Sequence, residues 1–104
     1  MMIIRSRDAA PLIDEPNEHL TDWRIIVLPD GNRHFCGIRA NGTTTRVSSK
    51  IIMYDAEGKT GMTQSGRIYQ LEGPPGDRAI VQLGVAVWCL NNGIDPSDVE
   101  MQDE

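Results

Sequence analysis

Histidine is the side chain that most readily moves a proton near neutral pH, and the chain has two, His19 and His34. His19 stands among Glu15, Glu18 and Asp22, a set that could hold a cation loosely. No HxH, HxxxH or HExxH spacing supports a metal site there, so a solvated histidine is the simpler reading. His34 sits beside Phe35, and strand alternation turns one of the pair outward. As a general base His34 would need an orienting partner, and none stands at a suggestive spacing. Ser48-Ser49-Lys50 and Gln64-Ser65-Gly66 place hydroxyls near a base, yet match neither G-x-S-x-G nor S-x-x-K. Gly73-Pro74-Pro75-Gly76-Asp77 leads into a helix, where phosphates can bind. Its two prolines remove two N–H donors, and it reads as a rigid connector. Cys36 and Cys89 form no CxxC pair, and two cysteines do not build a metal cage; both read as buried free thiols. These patterns assign no catalytic residue, no metal and no cofactor, and the chain is classed as non-enzymatic.

The remaining chemistry is charge. The 104 residues carry a net charge of -5, distributed unevenly. Residues 1–22 hold -3, residues 23–78 hold +3, and residues 79–104 hold five acids and no base, hence -5. Two acidic ends therefore flank a mildly basic body. Glu15, Glu18, Asp22, Asp98, Glu100, Asp103 and Glu104 are the candidate binding residues, supplying steering charge toward a basic partner. The basic body carries Arg24, Arg33, Arg39, Arg46, Lys50 and Arg67 on candidate strands. Alternation places Arg33, Phe35 and Arg39 on one face, an alternative surface for nucleic acid. Only Phe35 and Tyr69 could stack on bases, and the overall negative charge opposes phosphate contacts, so nucleic acid is the less favoured partner.

The elements that must position these groups follow from turn signals. Thr21–Leu28 reads as a strand, followed by the turn Pro29-Asp30-Gly31-Asn32. Residues 33–40 return, and Asn41-Gly42 is a strong hairpin signal. Residues 46–54, 59–65 and 67–71 complete the strands. Ala79–Leu90, AIVQLGVAVWCL, reads as the one helix, with Asp77 as its cap and Gly93 as its stop. At 100° per residue, Ile80, Leu83, Gly84, Val87 and Leu90 form the expected core stripe. Gly84 suggests a close approach to a strand. Asp95 is expected to cap a further turn at Pro96.

The fold expected is α+β: a four- to five-stranded antiparallel sheet, a meander able to curl into a barrel, packed against one C-terminal helix. Residues 1–20 read as an N-terminal arm, 21–93 as a single domain and 94–104 as an acidic tail. Ile3, Ile4, Leu12 and Ile13 could cover the helix near Val81 and Trp88. The N-terminal residues lack the long apolar core of a signal peptide. The helix, at 12 residues, is shorter than the roughly 20 that span a bilayer. A cytoplasmic protein with no membrane partner is expected.

Trp23, the run Thr45-Arg46-Val47-Ser48-Ser49, the turn Asp55-Ala56-Glu57-Gly58 and the stretch Thr63-Gln64-Ser65-Gly66-Arg67-Ile68-Tyr69-Gln70-Leu71 resemble a pattern in small accessory proteins of phages and mobile elements. The resemblance covers about residues 22–72 and carries over no catalytic residue. It implies a protein that acts on host machinery by protein–protein binding, through an exposed sheet edge or an acidic surface. An inhibitor of a host nucleic-acid-binding or defence complex, of the anti-CRISPR type, is one such protein. The alternative function is a nucleic-acid-binding module using the sheet arginines. A homodimer through an exposed strand is compatible with either.

Overall fold

Short turns dictate the topology. In the first, Gly31 takes a φ of +87° and the Asp30 carboxylate accepts the Asn32 backbone N–H, as the Pro-Asp-Gly-Asn composition requires. The computed structural model describes residues 16–40, 42 and 44–102. Within them the strands are β1 (Glu18–Val27), β2 (Arg33–Arg39), β3 (Thr45–Asp55), β4 (Thr60–Thr63) and β5 (Ile68–Glu72). The helix α1 (Ala79–Asn91) follows, then a 3₁₀ turn at Pro96–Asp98 and a short β6 (Glu100–Gln102). Each of β1 to β4 pairs antiparallel with its successor. A five-strand meander leaves its first and last strands parallel, and β1 and β5 do pair parallel, Glu18 against Tyr69 through Thr21 against Glu72. The meander thus closes into a ring. β6 adds to the far half of β1, antiparallel at Ile25–Val27.

A bulge in β1 decides which residues go inside. The β1–β2 register shifts between Thr21 and Arg24, and Asp22 adopts a φ of +49°. Before the bulge, Leu20 points into the barrel; after it, Trp23 and Ile25 do. The extra residue inverts the two-residue period. Gly76 packs on this bulge so closely that a Cβ there would lie 2.5 Å from the Asp22 Cα. The barrel interior is filled by Leu20, Trp23, Ile25, Phe35, Tyr69 and Leu71, with Ile51 and Tyr54 at its edge. Phe35 lies 5.5 Å from Tyr54 and 5.6 Å from Tyr69, centroid to centroid, in the tilted and edge-on arrangements that aromatic quadrupoles favour.

A second core lies outside the barrel wall. Ile26, Leu28, Cys36 and Ile38 face outward there and are covered by Val81, Val85 and Cys89 of α1. Gly84 permits the approach: a Cβ at this position would meet the Thr45 methyl at 2.5 Å, and the Thr45 hydroxyl bonds the Ile80 carbonyl.

Several expectations need correction. The buried helix stripe is Val81, Val85 and Cys89, while Ile80, Leu83, Val87 and Leu90 face outward. The helix is apolar on both sides, so periodicity could not choose between them. Its N-cap is Arg78, with no side-chain cap bond; Asp77 instead accepts from the Gln82 amide. The sheet begins at Glu18, inside the expected arm, and the expected tail supplies a 3₁₀ turn and a strand. The Asp95 carboxylate does cap that turn, accepting the Ser97 N–H. The covering role expected of Ile3, Ile4, Leu12 and Ile13 lies outside the described residues. Ring closure gives each of β1 to β5 a partner on both flanks, so the edge of the sheet among the described residues is β6. Among the described residues no helix is long and apolar enough to cross a membrane.

Candidate functional site

Two surface features stand out, and both follow from the barrel's inside–outside alternation. The first closes one end of the barrel. Glu18 lies two residues before the inward Leu20, Arg39 four after the inward Phe35, and Arg67 two before the inward Tyr69. Arg46 lies in β3, where the Ser48 hydroxyl reaches back to the Phe35 N–H. All four charged side chains converge on the same mouth. Glu18 is 5% exposed. Arg39 grips it with two nitrogens, Nε to one carboxylate oxygen at 3.2 Å and Nη2 to the other at 2.9 Å, the bidentate fork that suits a carboxylate. Arg46 and Arg67 approach the same carboxylate at 3.7 and 3.8 Å. The Arg46 Nε donates to the Tyr69 hydroxyl at 2.8 Å, and its guanidinium lies 6.0 Å from the centre of that ring. Three guanidiniums thus surround one carboxylate.

The second feature is the outward face of α1. Ile80, Leu83, Val87 and Leu90 are 46%, 65%, 49% and 68% exposed. No charged residue occurs between Ala79 and Asn92. A helix on the surface of a globular protein normally turns a charged face to water, and this one turns a row of aliphatic side chains. At its C-terminal end a hollow of about 400 Å³ is lined by Leu90, Gly93, Ile94, Asp95 and Pro96.

The acids expected to form a steering surface are dispersed. Glu18 is turned into the mouth and held by arginine, which removes it from the outer surface. Asp22 sits in the bulge, 3.6 Å from Arg78. Asp98 and Glu100 are exposed, at the end of β1 opposite Glu18. Glu15, Asp103 and Glu104 lie outside the described residues. Arg33, Phe35 and Arg39 do share a face, but it is the barrel's inner face. Phe35 is fully buried and offers no ring to a base; Arg33 bonds Gln102 at the far end of β2 from Arg39. The sequence does not announce the joining of Arg39 to Arg46 and Arg67. Its signal is that each lies near an inward residue at a strand end, which becomes visible only once the pairing and the bulge are known.

One histidine is on the surface; the other histidine and both thiols are engaged in packing. His19 pairs with Glu72 on the outer surface. His34 is buried as well as Phe35, because α1 covers the outer wall: its Nδ1 lies 2.8 Å from the Ser48 carbonyl, and its ring packs 5.0 Å from Trp88. Cys36 and Cys89 are free and buried, and burial pushes the Cys36 thiol up to about 12, far from a reactive thiolate at neutral pH.

No family model, curated protein or solved structure matches this chain.

Proposed function

We propose that this is a non-enzymatic binding protein that works through the outward face of α1, and that the occupant of that face is a second copy of the chain. The observation that carries the reading is the uncharged row Ile80, Leu83, Val87 and Leu90, exposed while the two cores of the described residues are filled without it. Contiguous apolar patches of this kind mark interaction sites.

Two details favour a second copy. The spacing between the four residues is three, four and three, the same from either end. An antiparallel pairing about a two-fold axis therefore sets Ile80 against the partner's Leu90 and Leu83 against the partner's Val87, the self-complementarity an isologous interface needs. The same pairing carries Arg78, whose side chain is 60% exposed, to the carbonyl end of the opposing helix and toward its Asp95. A cation is favoured at that end of the helix dipole. A face without charge is also where two chains of net charge -5 meet with least repulsion.

On the resemblance alone we place this binding protein among phage and mobile-element accessories, with a host complex as its eventual target. Asp98 and Glu100, presented twice by a dimer, would then give the approach to a basic surface its salt dependence.

Light scattering across a micromolar concentration series tests the reading. The mass should rise from one chain toward two. Leu83→Glu should hold the protein monomeric, and the double variant L83K/V87E, which opposes unlike charges across the two-fold, should recover association. A wild type that stays monomeric excludes the second copy. If Leu83→Glu then also leaves capture of a cellular protein unchanged, the helix face is not the working surface.

A further inference from the structure

The mouth of the barrel holds more positive charge than its internal carboxylate needs. A buried glutamate is satisfied by one bidentate arginine, and Arg39 supplies that bond. Arg46 and Arg67 also converge on Glu18, at 3.7 and 3.8 Å, distances too long for strong hydrogen bonds. No second carboxylate of the described residues lies within ion-pair distance of any of the three guanidiniums. The cluster carries a surplus of two positive charges on a chain whose net charge is -5. Its side chains are 35%, 28% and 43% exposed, so they are screened yet reachable. Each guanidinium has five N–H donors; one carboxylate and the Tyr69 hydroxyl accept only a few of them.

Two hollows lie beside the cluster and share Asn17: one of about 220 Å³ is lined by Asn17, Glu18, His19 and Ala40, and one of about 250 Å³ by Asn17, Ser65, Gly66 and Arg67; Arg67 is the arginine of the three that lines one. The three arginines arrive from separate parts of the ring: the end of β2, the start of β3 and the residue before β5. That tripod suits a tetrahedral oxyanion with three accessible oxygens better than a planar carboxylate, and arginine forks match phosphate geometry well.

We propose that this mouth binds a phosphoryl oxyanion, with Arg39, Arg46 and Arg67 as its ligands and Glu18 as the internal carboxylate that holds them in position. Glu18 has a double effect. It orders the guanidiniums, and it repels the incoming anion. A phosphate monoester and the phosphodiester backbone of a nucleic acid share the required chemistry.

The test uses the full chain and NMR of the arginine Nε–Hε groups. One arm adds inorganic phosphate against chloride at matched ionic strength; the other adds a short single-stranded oligonucleotide. Phosphate should move the Arg39, Arg46 and Arg67 signals and leave Arg33 in place. Arg67→Ala, the variant with the loosest tie to Glu18, should weaken binding about tenfold, the worth of one charge-assisted hydrogen bond. Glu18→Gln should tighten it, because the repelling charge is gone while a similar shape remains. Arg33→Ala should change nothing. A response to phosphate alone assigns a small phosphate ligand, and an Arg67-dependent response to the oligonucleotide alone assigns a diester backbone. The proposal is overturned if neither probe moves these signals beyond chloride, or if Arg67→Ala binds as well as wild type. That pair of measurements decides the matter even if Glu18→Gln does not fold.

Discussion

The inside and the outside of the barrel wall are built on different terms. Inside, the side chains at the centre are enclosed on all sides: Leu20, Ile25 and Phe35 are fully buried and Trp23 and Tyr69 are 1% exposed. The packing is completed by rings, by the Trp23 indole N–H donating to the Gly73 carbonyl, and at one end by the Glu18–arginine cluster. Outside, α1 buries one narrow row and leaves another, equally apolar, in solvent. The inner core contains what the fold requires. The outer layer contains more than it requires, and the surplus is confined to one face of one element. On the function we propose, hydrophobicity in excess of what the fold consumes would mark the surface for self-association.

Substitutions can break or sharpen that contrast. The largest loss should come from the interior. Phe35→Ala removes a fully buried ring among Tyr54 and Tyr69 and should cost about 3–5 kcal/mol in denaturant unfolding. At the contact between wall and helix, Gly84→Ala drives a methyl against Thr45 and should cost about 1–3 kcal/mol. Adding Thr45→Ser, which deletes the opposing methyl, should return part of it. The outer core should also register in pH. The folded Cys36 thiol ionises only at about 12, whereas an unfolded cysteine ionises near 8.5. The unfolded state binds fewer protons in that window. Stability is full below the unfolded value and should fall as pH rises from about 9 toward 12, by roughly 1 kcal/mol per pH unit. Cys36→Ala should flatten that part of the profile, which unfolding at stepped pH would show. The smallest effect belongs to the exposed row. Leu83→Ala should change the stability of the monomer by less than about 0.5 kcal/mol while weakening self-association. A large loss in the monomer would mean that the residue serves the fold and would erase the distinction drawn above.

Much of this architecture is legible in the sequence. Turn residues such as Gly31 and the Asp55–Gly58 turn punctuate the strands, and Gly84 announces a close contact. The expected helix Ala79–Leu90 ends only one residue short of the observed Ala79–Asn91, because apolar composition, length and the Gly93 stop agree. The choice of helix face was not legible. Val81, Val85 and Cys89 alternate with Ile80, Leu83, Val87 and Leu90 at the same period, and the buried row is the one that meets Thr45, Cys36 and Ile38 across space. The mouth was hidden for a related reason. Glu18, Arg39, Arg46 and Arg67 are distant in the chain, and Glu18 is inward only because the bulge at Asp22 shifts the phase of β1. A one-residue irregularity that depends on Gly76 has no local signature to read.

The parallel clasp between β1 and β5 bears on how the protein comes to exist. The Asn17 side chain accepts the Ile68 N–H across 51 residues of chain, and the strands that follow continue the seam. Until β5 has left the ribosome, β1 has half of one flank unpaired and Trp23 and Phe35 have no lid. Non-local seams of this kind form slowly. Synthesis must therefore run past residue 72 before the ring can shut, and a nascent chain stalled short of that point would leave Leu20, Trp23, Ile25 and Phe35 uncovered.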